Sequence, residues 1–268
     1  MRKKTTLQSA FTLIELSIVI VIIGLIIGGI TVGQSMSENA KIQNVIAEKE
    51  GVVAAIKQFE DKYKGLPGDL YNATDFWPAA SACGNGTSSP ALPDSDVCNG
   101  NGNGQIAGVT SDLPESHWAW RQLALAGFID GSYSGFAGGL GSQLVEPGEV
   151  VPITDYQDNT GWHIYYFGRQ ASTSFYDGQY GHILYLGTAA IGAPGVSVVN
   201  GVSQGWAQGD MEGEHIISID DKVDDGSPET GNIRSAKEGS DFAGDCVVSD
   251  AYVLDATDCV PIFLTGIN

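Results

Sequence analysis

From Phe11 to Gly33 the chain is apolar almost without interruption, and Glu15 is the single charge in that stretch. At a rise of ~1.5 Å per residue, a helix of this length crosses a bilayer core of ~30 Å. The pattern then changes. From Ser35 to Lys64 the apolar positions Ile42, Val45, Ile46, Val52, Val53, Ile56, Phe59 and Tyr63 recur mostly three or four residues apart. That spacing predicts an amphipathic helix continuing the first one. Its earlier half is expected to face neighbouring molecules and its later half to lie on a head. Gly51 is a candidate bend. Gly65-Leu66-Pro67-Gly68-Asp69 is the expected stop, with Gly65 just past the helix end.

Residues 65–268 read differently. Residues 112–128, DLPESHWAWRQLALAGF, predict a short helix. Asp112 and Glu115 form its capping box, Gly127 its C-terminal stop, and Trp118, Ala119, Leu123 and Phe128 its buried stripe. Strand-like runs follow at Trp162–Phe167, Gly181–Leu186, Gly195–Val199, Cys246–Leu254 and Val260–Leu264. Ile216, Ile219 and Val223 predict another short helix ending at Gly226. The fold class expected is α+β: a long N-terminal helix, transmembrane and then amphipathic, packed on a β-sheet head with large loops.

Composition sharpens this picture in two ways. Gly is abundant, 36 of 268 residues, while 43% of residues are apolar, which points to a folded head rich in turns rather than to disorder. The net charge of −19 argues against a nucleic-acid partner, since phosphate binding needs a cluster of Lys and Arg. The basic residues Arg2, Lys3 and Lys4 stand together ahead of the apolar stretch. By the positive-inside rule they hold the N-terminus in the cytoplasm and place the head outside the inner membrane. A secretory signal peptide would carry its small-residue cleavage site after the apolar core. Here that end reads GGITVGQS, and Ser9-Ala10 lies before the core.

Ser9-Ala10-Phe11-Thr12-Leu13-Ile14-Glu15-Leu16 resembles the prepilin leader motif of type IV pilins and type II secretion pseudopilins. The family usually has Gly where this chain has Ala10. The resemblance implies that residues 1–10 are a leader removed by prepilin peptidase, with cleavage between Ala10 and Phe11 and N-methylation of Phe11. It implies a helix over 11–64 that spans the membrane at 11–33, and an extracytoplasmic head over 65–268. The implied localisation is the bacterial inner membrane, single-pass with the head in the periplasm, and then a fibre. The implied partners are other pilin or pseudopilin subunits, the peptidase, the inner-membrane assembly platform and the membrane itself. The function expected is that of a structural subunit. The alternative is a minor tip pilin whose enlarged head is an adhesin or ligand-binding module.

Physical chemistry gives Glu15 a role beside that resemblance. A carboxylate in a bilayer costs ~2.5–3.5 kcal/mol on insertion scales, so it is functional by default and needs a partner. The amine freed at Phe11, of the same or a neighbouring subunit, is the expected partner in assembly. Gly24-x-x-x-Gly28 and Gly29-x-x-x-Gly33 allow close helix approach in lipid, and Gly28-Gly29 is a candidate melting point.

In the head, Asp220, Asp221, Asp224 and Asp225 crowd a predicted helix C-terminus, where partial negative charge disfavours them. Calcium would offset that repulsion, and the pseudopilin resemblance leans the same way. Solvated acids offset by Lys222 and Arg234 are the other reading. Asn99–Ile106 partly matches a calcium loop but lacks Asp at its first position and has Thr110 at its twelfth; an Asn-Gly turn loop is the alternative. Cys83, Cys98, Cys246 and Cys259 predict two disulfides among three connectivities, with pairing of sequence neighbours expected. No HExxH, nucleophile elbow, GxGxxG or Walker A string occurs, so an enzyme is not expected.

Overall fold

The computed structural model describes residues 12–80, 96–108, 115–135, 147–169, 179–188, 197–199, 202–204, 209, 211–235, 246–257 and 259–267. The chain divides into two compact units, Met1–Lys41 and Ile42–Asn268. Helix α1, Leu13–Tyr63, contributes to both.

In the first unit every large apolar side chain of α1 from Leu13 to Met36 is exposed. This part is long and apolar enough to cross a membrane. In the second unit the same helix is amphipathic. Ile42, Val45, Val52, Ala55, Ile56 and Phe59 are buried, and Ile46, Val53 and Tyr63 pack partly against the same core. Burying each such side chain fully contributes ~1.5–3 kcal/mol. The helix runs through Gly51 without interruption. Its left-handed end residue is Lys64 (φ 61°), whose N–H donates to Glu60 O at 2.8 Å, and not the expected Gly65. Gly65 serves a different need: a Cβ there would lie 2.8 Å from Leu70 Cδ1.

Helix α2, Glu115–Leu125, is buried on all sides from Glu115 to Leu123 and not only along the expected stripe. Phe128 is partly buried. The expected stop at Gly127 is there: Gly127 (φ 76°) and Phe128 donate to Ala124 O and Leu123 O, the paired bonds of a Schellman end. Glu115 starts the helix, while its expected capping partner Asp112 lies outside the described residues.

The main sheet is antiparallel. Strands β1 (Thr160–Arg169) and β2 (Gln179–Thr188) form its long hairpin. After β2 the chain forms β3 (Ser197–Val199), β4 (Val202–Gln204), α3 (Gly213–Val223), β5 (Ile233–Arg234), β6 (Val247–Val248), β7 (Ala251–Tyr252) and β8 (Ile262–Leu264). The sheet order is then β1-β2-β8-β5, with β3-β4 and β6-β7 as separate two-stranded ribbons. Trp162 faces Leu186, and Ile164 faces Leu184, which in turn faces Phe263; all of these join the core that includes α1. His163 and Tyr185, paired on the other face, are buried as well. Burial on both faces explains why this strand pair reads as a nearly continuous apolar and aromatic run.

Among the expected strands, Cys246–Leu254 is corrected. It is a hairpin, β6 and β7, turning on Ser249 (φ 52°) and Asp250 (φ 60°). Two left-handed residues between two-residue strands make a type I′ turn.

Candidate functional site

At the start of α1, Thr12 and Glu15 bond reciprocally. The Glu15 carboxylate accepts the Thr12 N–H at 2.8 Å and the Thr12 hydroxyl at 2.7 Å, while Glu15 N–H donates to Thr12 Oγ1 at 3.3 Å. This is a capping box, and it supplies orphan N–H groups at the helix start with acceptors. Thr12 escaped notice in the sequence, although Thr12-x-x-Glu15 carries the signature. Ala10 and Phe11, the residues of the expected cleavage, lie outside the described residues. Among the described residues nothing lies within 4 Å of a Cβ built on Gly24, Gly28, Gly29 or Gly33.

The aspartate loop follows α3. That helix is built on buried Ile216 and Ile219, while Val223 is exposed. The chain then wraps back on itself. One oxygen each from Asp220, Asp224 and Asp225 lies within 4.8 Å of the others. Asp221, adjacent on the helix and exposed, stands outside this group. The repulsion expected at the helix end is met by local donors. Asp220 accepts Gly226 N–H at 3.0 Å and the Tyr252 hydroxyl at 2.8 Å. Asp224 accepts the N–H groups of Asn232 and, at 2.8 Å, Ile233. Asp225 accepts Ser227 N–H at 3.1 Å and the Thr230 hydroxyl at 2.7 Å. Gly231 (φ 72°) is required here, since a Cβ would fall 2.0 Å from Asp224 Oδ2.

Burial, reinforced by Asp224 and Asp225, pushes the Asp220 carboxyl up to about 6 against the bonds from Tyr252 and Gly226. Asp225 is held below the usual range, chiefly by Thr230. The donor set, three convergent carboxylates with one of them buried, fits a hard oxygen-seeking cation such as calcium. Tyr252 sits on the β6–β7 hairpin, inside the loop closed by the Cys246–Cys259 disulfide, so that loop and the aspartates are directly joined. Cys98 is also disulfide-bonded; its expected partner Cys83 lies outside the described residues.

In the Asn-Gly loop four backbone N–H groups donate to two carboxylates of the protein. Buried Asp69 accepts Asn103 N–H at 3.1 Å and Gly104 N–H at 2.8 Å. Buried Glu115 accepts Asn101 N–H at 2.9 Å and Ala107 N–H at 2.8 Å. Burial, with a smaller effect of Asp69, raises the Glu115 pKa. Ile106 N–H donates to His182 Nε2 at 3.0 Å, which leaves Nδ1–H to donate to Ile267 O at 3.1 Å. Convergent N–H donors suit an anion, and here the anions are Asp69 and Glu115. Asn-Gly turns held by Asp69 and Glu115 make up the backbone of this segment.

The remaining histidines are placed in the interior. His215 Nδ1 and the Tyr156 hydroxyl share a hydrogen bond of 2.7 Å. His117 and His163 are both buried; among the described residues neither ring nitrogen of His117 has a hydrogen-bond partner, and His163 Nε2 has none. Glu48 of α1 is another residue that sequence reasoning passed over. Its carboxylate accepts from Thr154, Asp155 and Trp162, more than 100 positions away, and no local signal marks such a partner.

Compared with protein-family models, with curated proteins and with solved structures, the chain matches none.

Proposed function

We propose that this chain is a structural subunit of a type IV pilus or type II secretion pseudopilus, processed by prepilin peptidase and assembled through its N-terminal helix. The observation that carries this reading is α1 itself. One helix of 51 residues is exposed and apolar at its start and amphipathic and core-forming at its end. An apolar helical surface of this length needs lipid or other helices around it, and in this reading it exchanges the first for the second. The prepilin-like string from Ser9 to Leu16 supports the same reading. Partners are then like subunits, the peptidase and the inner-membrane assembly platform, with the head in the periplasm before assembly. In the same reading Asp220, Asp224 and Asp225 hold calcium, which offsets their mutual repulsion. The head beyond residue 64, with its several loops, favours a second reading within the same family: a minor subunit near a fibre tip, with an adhesive or ligand-binding head.

The test is N-terminal sequencing of protein extracted from membranes and from sheared fibres. Both should begin at Phe11. A start at Met1, or beyond Gly33, would remove the basis of the proposal. Abundance in the sheared fibres separates a major subunit from a minor one.

A further inference from the structure

Asn99-Gly100, Asn101-Gly102 and Asn103-Gly104 put three Asn-Gly dipeptides in one run. In such dipeptides the glycine nitrogen can attack the side-chain amide carbon of the preceding asparagine. A C–N bond forms, ammonia leaves with the nitrogen's proton, and a succinimide ring results. Water then opens the ring at either carbonyl, giving aspartate or isoaspartate. Glycine favours the attack because it has no Cβ to obstruct it. What the reaction needs is a glycine N–H free to lose its proton and swing towards the side chain.

In this loop all three glycine N–H groups are engaged. Gly100 donates to Leu70 O at 2.9 Å, and Gly102 donates to Asp69 O at 3.0 Å. Gly104 differs from these two: its acceptor is a side chain, the Asp69 carboxylate, at 2.8 Å. The other oxygen of Asp69 holds Asn103 N–H at 3.1 Å. One carboxylate thus grips the backbone on both sides of Asn103. The Asn103 side chain is oriented as well, its oxygen accepting Gln105 N–H at 2.8 Å. Asn101, Asn103 and Gly104 are exposed, and among the described residues nothing lies within 4 Å of a Cβ built on Gly104. Water has access, and hydrogen bonding restrains the reaction.

We propose that Asn103-Gly104 is a spontaneous deamidation site, held closed by the Asp69 carboxylate, whose conversion opens the 99–107 loop. Conversion to isoaspartate reroutes the main chain through the former side chain. That lengthens the path between the two N–H groups that Asp69 holds. Either product also adds a carboxylate to a loop folded over Asp69 and buried Glu115, so the change is self-reinforcing and one-way. The inference does not depend on what the chain assembles into.

The test uses the full-length protein in detergent micelles at mildly alkaline pH, as wild type, as wild type unfolded in urea, and as Asp69→Asn. Isoaspartate is read by enzymatic methyl transfer and located by peptide mapping. Native wild type should convert at Asn103 far more slowly than the unfolded chain. Asp69→Asn weakens a charge-assisted bond and should raise the Asn103 rate about tenfold. Asn99, whose glycine is held by a backbone carbonyl, should change little. Equal native and unfolded rates at Asn103, or equal acceleration at all three asparagines, would overturn the proposal. Should Asp69→Asn misfold, hydrogen exchange on the wild type decides: Gly104 N–H should be protected despite its exposed position, and exchange at the free rate would also overturn it.

Discussion

The Trp162 indole N–H donates to the Glu48 carboxylate at 2.7 Å, tying helix α1 to strand β1. The same carboxylate accepts the Thr154 hydroxyl at 2.7 Å and Asp155 N–H at 2.9 Å. Three donors from one strand and the loop before it converge on one half-buried side chain of the helix.

Removing that acceptor should therefore destabilise the head. Glu48→Ala leaves a buried indole N–H and a hydroxyl without partners and should cost about 2–4 kcal/mol, the loss of charged hydrogen bonds together with unmet donors. Trp162→Phe removes one donor, keeps most of the ring packing and should cost less. Denaturant unfolding of both variants measures the difference; equal costs would show that ring volume, not Glu48, governs this junction.

Acid should weaken the fold through two buried imidazoles. Burial holds His117 down to about 3, with a further push from His163, and holds His163 down to about 4. Both values lie below the ordinary 6.5, so the folded state favours the neutral rings. Their contribution is complete above that ordinary value and is lost as pH falls below it. Melting temperature should decline from neutral pH towards pH 5. His117→Leu should flatten that decline without loss at neutral pH, since it replaces a ring whose nitrogens have no hydrogen-bond partner among the described residues.

Asp220 has the opposite sign. Its pKa is raised to about 6, so its protonated form is favoured by folding, and that contribution is lost as pH rises from the ordinary value through about 6. Calcium must displace that proton. Stabilisation by millimolar calcium should grow as pH rises through this range, and a chelator should abolish it. Asp224→Ala or Asp225→Ala should abolish it too. Identical melting with calcium and with chelator would leave the local N–H and hydroxyl donors as the whole account of these carboxylates.

Glu15→Gln separates two roles. A Gln at this position still caps, because the reciprocal pattern accepts Glu or Gln, but it carries no charge. Thr12→Ala weakens the cap and keeps the charge. If the Glu15 charge pairs with the Phe11 amine of a neighbour, Glu15→Gln should insert, be cleaved and fail to enter fibres, while Thr12→Ala should still be incorporated. Comparison of the processed membrane pool with sheared filaments reads the outcome; the reverse ranking would assign the role to the cap.

The features legible in the sequence are those with a short repeat. The 3–4 spacing from Ile42 to Tyr63 and the aromatic and branched runs of β1 and β2 report burial residue by residue. The β6–β7 hairpin escaped because Ser249-Asp250 takes a conformation usually marked by Asn-Gly or Asp-Gly. β5 is two residues long, too short for any alternation to show. In the aspartate loop the sequence marks the charges, but not which carboxylates meet. That depends on the return of the chain over Asn232 and Ile233, whose N–H groups bind Asp224. Glu48 and Asp69 act at long range and read locally as ordinary surface acids.

The continuity of α1 across Lys41 and Ile42 has a mechanical consequence. A pull applied to α1 at Ile42 and directed along the helix within the second unit meets Val45, Val52, Ala55, Ile56 and Phe59 in turn, with Glu48 bonded among them. Contacts arranged along the direction of pull are loaded together in shear rather than peeled one at a time. The helix should thus resist axial tension far better than the modest worth of any single contact suggests, and a transverse pull should strip it at much lower force.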